Sequence, residues 1–460
     1  MRGNFSRFAF DSAVGATGLH YQQGQLTLDS DFNLQQAIQL HQHRLLAEHL
    51  IGPFGGVQDS FRIKPVTGLL WDVAISPGNY YVQGHHCRNG EQVTWRGEQG
   101  HRRQPWLEAQ PQPKHGTYLA FLELWERHVD PAEMDGLREV ALGGPATVAL
   151  RQRVWKVRLR EWPRGPNNAA PQISESAALA VLRGWSPAGR GAMAARARRP
   201  APASDPCVVS PRASYSGIEN RLYRIEIYRG GTVGGAAGQT GPTFIWSGDN
   251  GSIVLPVESV GGTVVRLAAS WLDARSEIAV GDHVEISDES IRMNPGAGPI
   301  RKVTGYDPDE STLTLDSPPG PAIEAAGRGL LLRRWDHKKG DPNSGHAPLA
   351  DDRGLQLVED QWLAIEDGIA IRFEPGTPGH VYRSGDYWLI PARTGLADIV
   401  WPNEDDPDRT PRALPPDGVE LLQAPLAAVT FAGDGTCAVT DLRRVIRQSA
   451  TVVRASIPTA

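Results

Sequence analysis

The strongest constraint on this chain is a two-residue rhythm that recurs from one end to the other. Arg221 to Tyr228 (RLYRIEIY) and Val154 to Trp162 (VWKVRLREW) alternate polar and apolar side chains. Thr117 to Trp125 (TYLAFLELW) is a longer run with Leu119, Phe121 and Leu124 set inward, and Tyr387 to Ala392 (YWLIPA) is the most hydrophobic run of the second half. A period of two puts successive side chains on opposite faces of an extended chain, so these runs predict strands. Turn chemistry separates them: Ser76-Pro77-Gly78-Asn79, Asp249-Asn250-Gly251, Gly281-Asp282 and Asp307-Pro308-Asp309. Proline fixes φ and glycine permits positive φ, and the 50 Gly and 36 Pro are spread along the whole length. The expected fold is mainly β, and 460 residues are too many for one core.

One stretch departs from that rhythm. Gln25 to Leu28 alternates as a half-buried strand does, and then Leu34, Ala37, Ile38, His41, Leu45 and His49 recur at helical spacing. Ser30 or Asp31 is placed to cap this helix, expected over residues 31–50, and Gly52-Pro53 stops it.

These signals divide the chain. Residues 1–162 read as an amino-terminal β-rich domain, with Leu70 to Gly84 as a hairpin. Residues 163–212 carry many Pro, Ala and Gly plus the basic run Arg196-Ala197-Arg198-Arg199, and read as a linker or exposed excursion with one short helix near Ser174 to Arg183. Residues 213–262 together with 335–447 form a second β domain. Residues 263–334 show short, regularly spaced strands and read as an inserted SH3-like barrel. Residues 448–460 are a polar tail. The Gly230–Gly241 segment is followed by the strand-like Thr243-Phe244-Ile245-Trp246-Ser247 rather than a helix, so it reads as a hairpin loop and not a phosphate cradle.

Composition excludes several classes. A net charge of −5 gives no reason to expect nucleic acid or an anionic membrane surface. Cys87, Cys207 and Cys437 are far apart and odd in number, which argues against a disulfide framework. No signal peptide is expected at the amino terminus, and no run reaches the roughly 20 apolar residues of a membrane helix. Synthesis in the cytoplasm without membrane insertion is the expectation.

Candidate chemistry is sparse. His85-His86-Cys87 has zinc-type ligands, but neighbours on a strand face opposite ways and no second ligand pair lies close. Glu123, Glu126, Asp130 and Glu133, interleaved with Arg127 and His128, contain the paired carboxylates a glycoside hydrolase needs; an ion-pair network is the ordinary reading. Ser247-Gly248-Asp249-Asn250-Gly251-Ser252 lacks a nucleophile elbow and reads as a turn. The expectation is therefore no catalytic residues, no metal and no cofactor. Of the 13 Trp, those on strong strands read as core, whereas Trp95, Trp106 and Trp401 lie in loop-like segments and are the candidates for partner or glycan contact.

The ordered series MRGNFSRFAF, QQGQLTLDSDFN, PGNYYVQG, LELWERHV, LREVALGGPAT, FIWSGDNGSIV and YRSGDYWLIPAR resembles an uncharacterised bacterial family encoded with phage-tail-like contractile injection systems or phage tail genes. Phe32 stands where that pattern has Trp, and Gly248 where it has Arg. The resemblance implies a non-enzymatic structural or adaptor component of a baseplate, cap or fibre attachment. It implies other particle subunits as partners and a homo-oligomeric state. A glycan-recognition module of a tail fibre is the alternative, and a carboxylate-dependent glycoside hydrolase comes third.

Overall fold

The computed structural model describes residues 2–8, 10–66, 68–98, 100–105, 110–142, 146–185, 189–197, 215–234, 240–268, 276–326, 329–338, 345–376, 379–405 and 409–446. Across these residues it is mainly β, built of several sheets and one closed barrel, with four α-helices among them: α1 (Asp29–Ile51), α2 (Glu175–Trp185), α3 (Glu289–Arg292) and α4 (Pro321–Ala326).

The amino-terminal body rests on a four-stranded antiparallel sheet. Its order is Cys437–Asp441, Leu422–Phe431, Gly116–Val129, Leu150–Glu161. A second four-stranded sheet joins Val445–Ile446, Phe54–Val57, Gly78–Val82 and His85–Asn89. Side chains of both meet in one core that includes Phe54, Phe61, Tyr80, Leu122, Leu124, Trp155, Leu426 and Phe431. Residues 422–446 thus complete the first body, whereas the sequence reading grouped them with the second. The reason is long-range pairing: Leu422–Phe431 lies along Gly116–Val129 from Leu422↔Leu124 to Phe431↔Gly116, a partnership that local pattern cannot announce.

The second body contains a five-stranded sheet in the order Leu355–Gln356, Thr243–Ser247, Arg221–Arg229, Tyr387–Arg393, Asp398–Ile399. Its core gathers Tyr223, Ile225, Phe244, Phe373, Trp388 and Ile390. A three-stranded sheet beside it has Ala192–Ala197 pairing Ile369–Glu374 over six residues. The segment expected as a linker therefore supplies a strand, and α2 within it buries Ala178 and Leu182 against Leu119, Phe121 and Ala428. Small alanine side chains let this strand and helix pack closely, which a composition reading mistakes for flexibility.

The barrel has six strands among the described residues and begins at Val254 rather than residue 263. Val254–Gly261 pairs with both Val264–Leu267 and Leu330–Trp335, and that double pairing closes the ring. Closure removes the two edges a five-stranded arrangement would leave open. Its interior is aliphatic, with Val265, Val284, Ile286, Val303, Leu313 and Leu332.

Helix α1 begins two residues before the expected start. Asp31 reaches back to accept the Leu28 backbone N–H at 3.0 Å, half of a capping box. The helix rests on the turn at Gly84, where a Cβ would lie 2.1 Å from the Arg44 carbonyl oxygen; φ there is +72°. Only a glycine permits that approach. Of the expected inward face, Ile38 is buried and Leu34, Ala37 and His41 are half-buried, while Leu45 and His49 are exposed.

Candidate functional site

The two bodies and the barrel meet around a polar cavity of about 290 Å³. Its centre is Glu226, fully buried on the Arg221–Arg229 strand. Arg2 grips Glu226 with two bonds, at 2.5 and 3.1 Å, and Arg224 adds a third at 2.6 Å. Arg2 also reaches Glu285 of the barrel at 3.4 Å and lies 5.3 Å over the Trp335 ring. Glu285 accepts further bonds from the Trp335 indole N–H at 3.0 Å and the Gly298 N–H at 2.8 Å. The first residues of the chain are held there as well: Gly3 N–H donates to the Asn250 carbonyl and Asn250 donates back to the Gly3 carbonyl, at 3.1 and 2.9 Å. Burial raises the carboxyl of Glu226, but Arg2 and Arg224 outweigh it and hold its pKa down at about 2. His128, in the same cavity, is pushed down to about 3 by burial and by the Arg333, Arg151 and Arg224 guanidiniums. The seam is an ion-pair network that fastens three parts of the molecule, and neither the acid–base pattern nor the motif spacing marked Arg2, Glu226 or Glu285 in advance. The one available sign is a glutamate on the polar face of Arg221 to Tyr228, opposite Tyr223, Ile225 and Ile227.

Glu123 and Glu126 do not form a catalytic pair. They are three residues apart on a strand of unbroken register with Leu150–Glu161, so they face opposite ways. Glu123 accepts from Arg158 at 3.0 Å and Gln423 at 3.2 Å. Glu126 takes Arg44 at 2.6 Å and Arg153 at 3.2 Å, with Arg151 at 3.7 Å. Asp130 caps a short 3-10 turn, and Glu133 binds Arg127 at 2.8 Å and Arg292 at 3.0 Å.

His85, His86 and Cys87 also diverge. His85 Nδ1 bonds the Gln83 carbonyl at 2.9 Å, His86 Nε2 bonds Asn79 Oδ1 at 2.9 Å, and Cys87 is buried in the first core, where desolvation lifts its thiol to about 12. Among the described residues no group of three or more His, Cys, Asp or Glu is placed to hold a metal ion.

The three candidate tryptophans separate. Trp95 is 4 % exposed and packs in the first core, its backbone N–H donating to the Val73 carbonyl; this corrects the surface expectation. The Gln/Pro-rich context misled because the strand pairing of Val93–Thr94 with Ala74–Ile75 draws the residue inward. Trp401 is half-buried against the second core and donates to the Arg412 carbonyl at 2.9 Å. Trp106 lies outside the described residues.

A carboxyl the sequence did not single out is Glu366, at a cavity of about 480 Å³ with Asp336, Asp282, Lys338 and His346. Burial, Asp336 and Asp367 lift it to about 7, and it accepts from the Tyr223 hydroxyl at 3.2 Å and Arg221 at 3.3 Å. It can therefore keep a proton at neutral pH.

The outer surface presents a different feature. On α1, Phe32, Gln36, Gln39, His43, Leu46 and Leu50 are all exposed. Their spacing of four, three, four, three, four aligns them as one stripe, opposite the face that carries Ile38. Phe32 is 63 %, Leu46 58 % and Leu50 78 % exposed. Tyr21 and Leu26 of the preceding arm are exposed too, and the Tyr21 ring lies 6.1 Å from that of Phe32. No helix among the described residues is long and apolar enough to cross a membrane.

No curated protein matches the chain, and no solved structure does. A family profile described as "Family of unknown function (DUF6519)" matches residues 1–170 and 168–454, and the chain belongs to that family.

Proposed function

We propose that this protein is a non-enzymatic structural or adaptor component of a contractile injection system or phage-tail-like particle, seated at a baseplate, cap or fibre attachment. The observation that carries the reading is the outward stripe of α1. A helix that packs one face on its own sheet and leaves Phe32, Leu46 and Leu50 in water has two apolar sides, and large exposed apolar patches mark sites of protein contact. The ordered sequence segments that resemble tail-associated proteins supply the kind of assembly. The carboxylates that suggested hydrolysis are engaged by arginines, which favours a holding role over turnover. The glycan alternative loses Trp95 as a contact, since that ring packs in a core.

The test is to isolate particles from a producing strain and identify their subunits by mass spectrometry, with wild-type protein and with Phe32→Ser/Leu46→Gln. Incorporation of the wild type and loss of the variant is expected. Absence of the wild type from particles would overturn the reading.

A further inference from the structure

The Leu150–Glu161 strand is an edge, paired only to Gly116–Val129 among the described residues. Its backbone has two sides. Trp162, which continues the strand, donates its N–H to the Thr117 carbonyl at 2.9 Å, so even-numbered residues bond inward. Val157 turns the other way: its N–H donates to Gln104 Oε1 at 2.7 Å and its carbonyl accepts from Gln104 Nε2 at 2.9 Å. One carboxamide there makes the two bonds that a neighbouring strand would make. By the same parity Arg151, Arg153 and Trp155 direct their peptide groups outward, and Leu150 to Arg153 and Trp155 line an open groove of about 960 Å³. Across it stand Gln36 and Leu40 of α1, His86 to Arg88, and Glu289, Arg292 and Met293.

The groove holds more guanidinium than carboxylate. Arg44, Arg151 and Arg153 converge on Glu126, and Arg127 and Arg292 share Glu133. Among the described residues its lining has five arginines (88, 127, 151, 153, 292) and three glutamates (126, 133, 289). Arg88 is exposed at its rim. Burial, Arg153 and Arg88 keep His86 below its ordinary range.

We propose that this edge receives an extended, acidic segment of a partner protein, added as a strand along residues 151–155 with its carboxylates on the arginines that line the groove. A strand supplies the backbone pairing that Gln104 supplies at Val157, and alternate acidic side chains meet the arginines across the groove. The inference rests on the reading that another polypeptide grips this chain, and it names the chemistry of the gripping segment.

The probe is a fluorescein-labelled synthetic peptide of alternating Glu and Val, compared by anisotropy with an alternating Glu and Pro peptide of equal charge. The full-length wild type should bind the Glu/Val peptide and discriminate against the Glu/Pro peptide, which cannot join a ladder. Arg88→Glu/Arg151→Glu should weaken binding by about tenfold or more, and an alternating Lys and Val peptide should then bind the variant. Amide exchange at 151–155 should slow in the wild-type complex. If the double variant does not fold, Arg88→Ser alone, at an exposed position, should still weaken binding. Equal binding of the two acidic peptides, unchanged exchange, or no binding by the wild type overturns the proposal. Peptide binding by a protein absent from particles would sink the assembly reading and leave this docking edge standing.

Discussion

The seam around Glu226 and the groove beside α1 are made of the same side chains and differ in their balance. In the seam, Arg2 and Arg224 close on Glu226, and Glu285 is filled by Arg2, Trp335 and Gly298. Along the groove, five arginines stand with three glutamates among the described residues, Glu126, Arg127, Glu133, Arg151 and Arg292 lining the seam cavity as well, and the neighbouring helix keeps apolar side chains in water. A charge network satisfied from within holds a fold together; an unbalanced one beside an open strand edge is prepared for something outside it. On this contrast the first region is structural, and the second is where we propose contact.

The contrast is broken most severely at its buried end. Glu226→Gln removes the buried carboxylate that Arg2 and Arg224 share, and a loss of about 3–5 kcal/mol is expected in urea unfolding. A variant as stable as wild type would mean that the seam does not fasten the parts. Trp95→Ala should cost about 3–5 kcal/mol as a core truncation, and a small effect would restore Trp95 as a surface contact.

Acid sharpens the same boundary. His337 is fully buried, its ring stacks on His283 at 4.6 Å, and burial and His283 push it down to about 3. Its folded pKa lies below the unfolded value of about 6.5, so the unfolded chain takes up the proton first, and stability falls as pH drops through that value. By about pH 5 the loss from His337 is about 2 kcal/mol. Glu226, held at about 2, loses its contribution only below its unfolded value of about 4.5, so above that value the histidines lower stability as pH falls while Glu366, lifted to about 7, takes up its proton first in the folded chain and opposes them. Denaturant midpoints measured across this range should show the slope, and His337→Gln should flatten it.

The smallest stability effect belongs to the outer face. Phe32→Ser/Leu46→Gln should change the unfolding free energy by less than about 0.5 kcal/mol per site, because both side chains are largely exposed, while abolishing the proposed incorporation into particles. A large loss would show that the stripe supports the fold itself.

How far the residues spoke for themselves varies by element. Arg221 to Tyr228 and Val154 to Trp162 announced strands, because burial on one face demands alternation. The helix from Asp29 was legible in its spacing, although only its central turn is sealed. The barrel strand Val254–Gly261 falls outside the expected 263–334 because Pro256 and Gly261 disguise a strand whose ladder neighbours lie 3–10 residues away on one side and 73–79 on the other. Trp95 was misplaced because loop composition says nothing about which core a ring enters.

The order of residues alone determined that this chain would be β-rich, that its turns fall at Gly, Pro, Asn and Asp, and that one helix interrupts the rhythm; those are local matters of sterics and period. Tertiary structure alone decided that Arg2 meets Glu226, that residues 422–446 return to the first body, and that arginines from α1, two strands and α3 crowd two glutamates. Such meetings depend on which distant surfaces are buried together, and no local pattern carries that information.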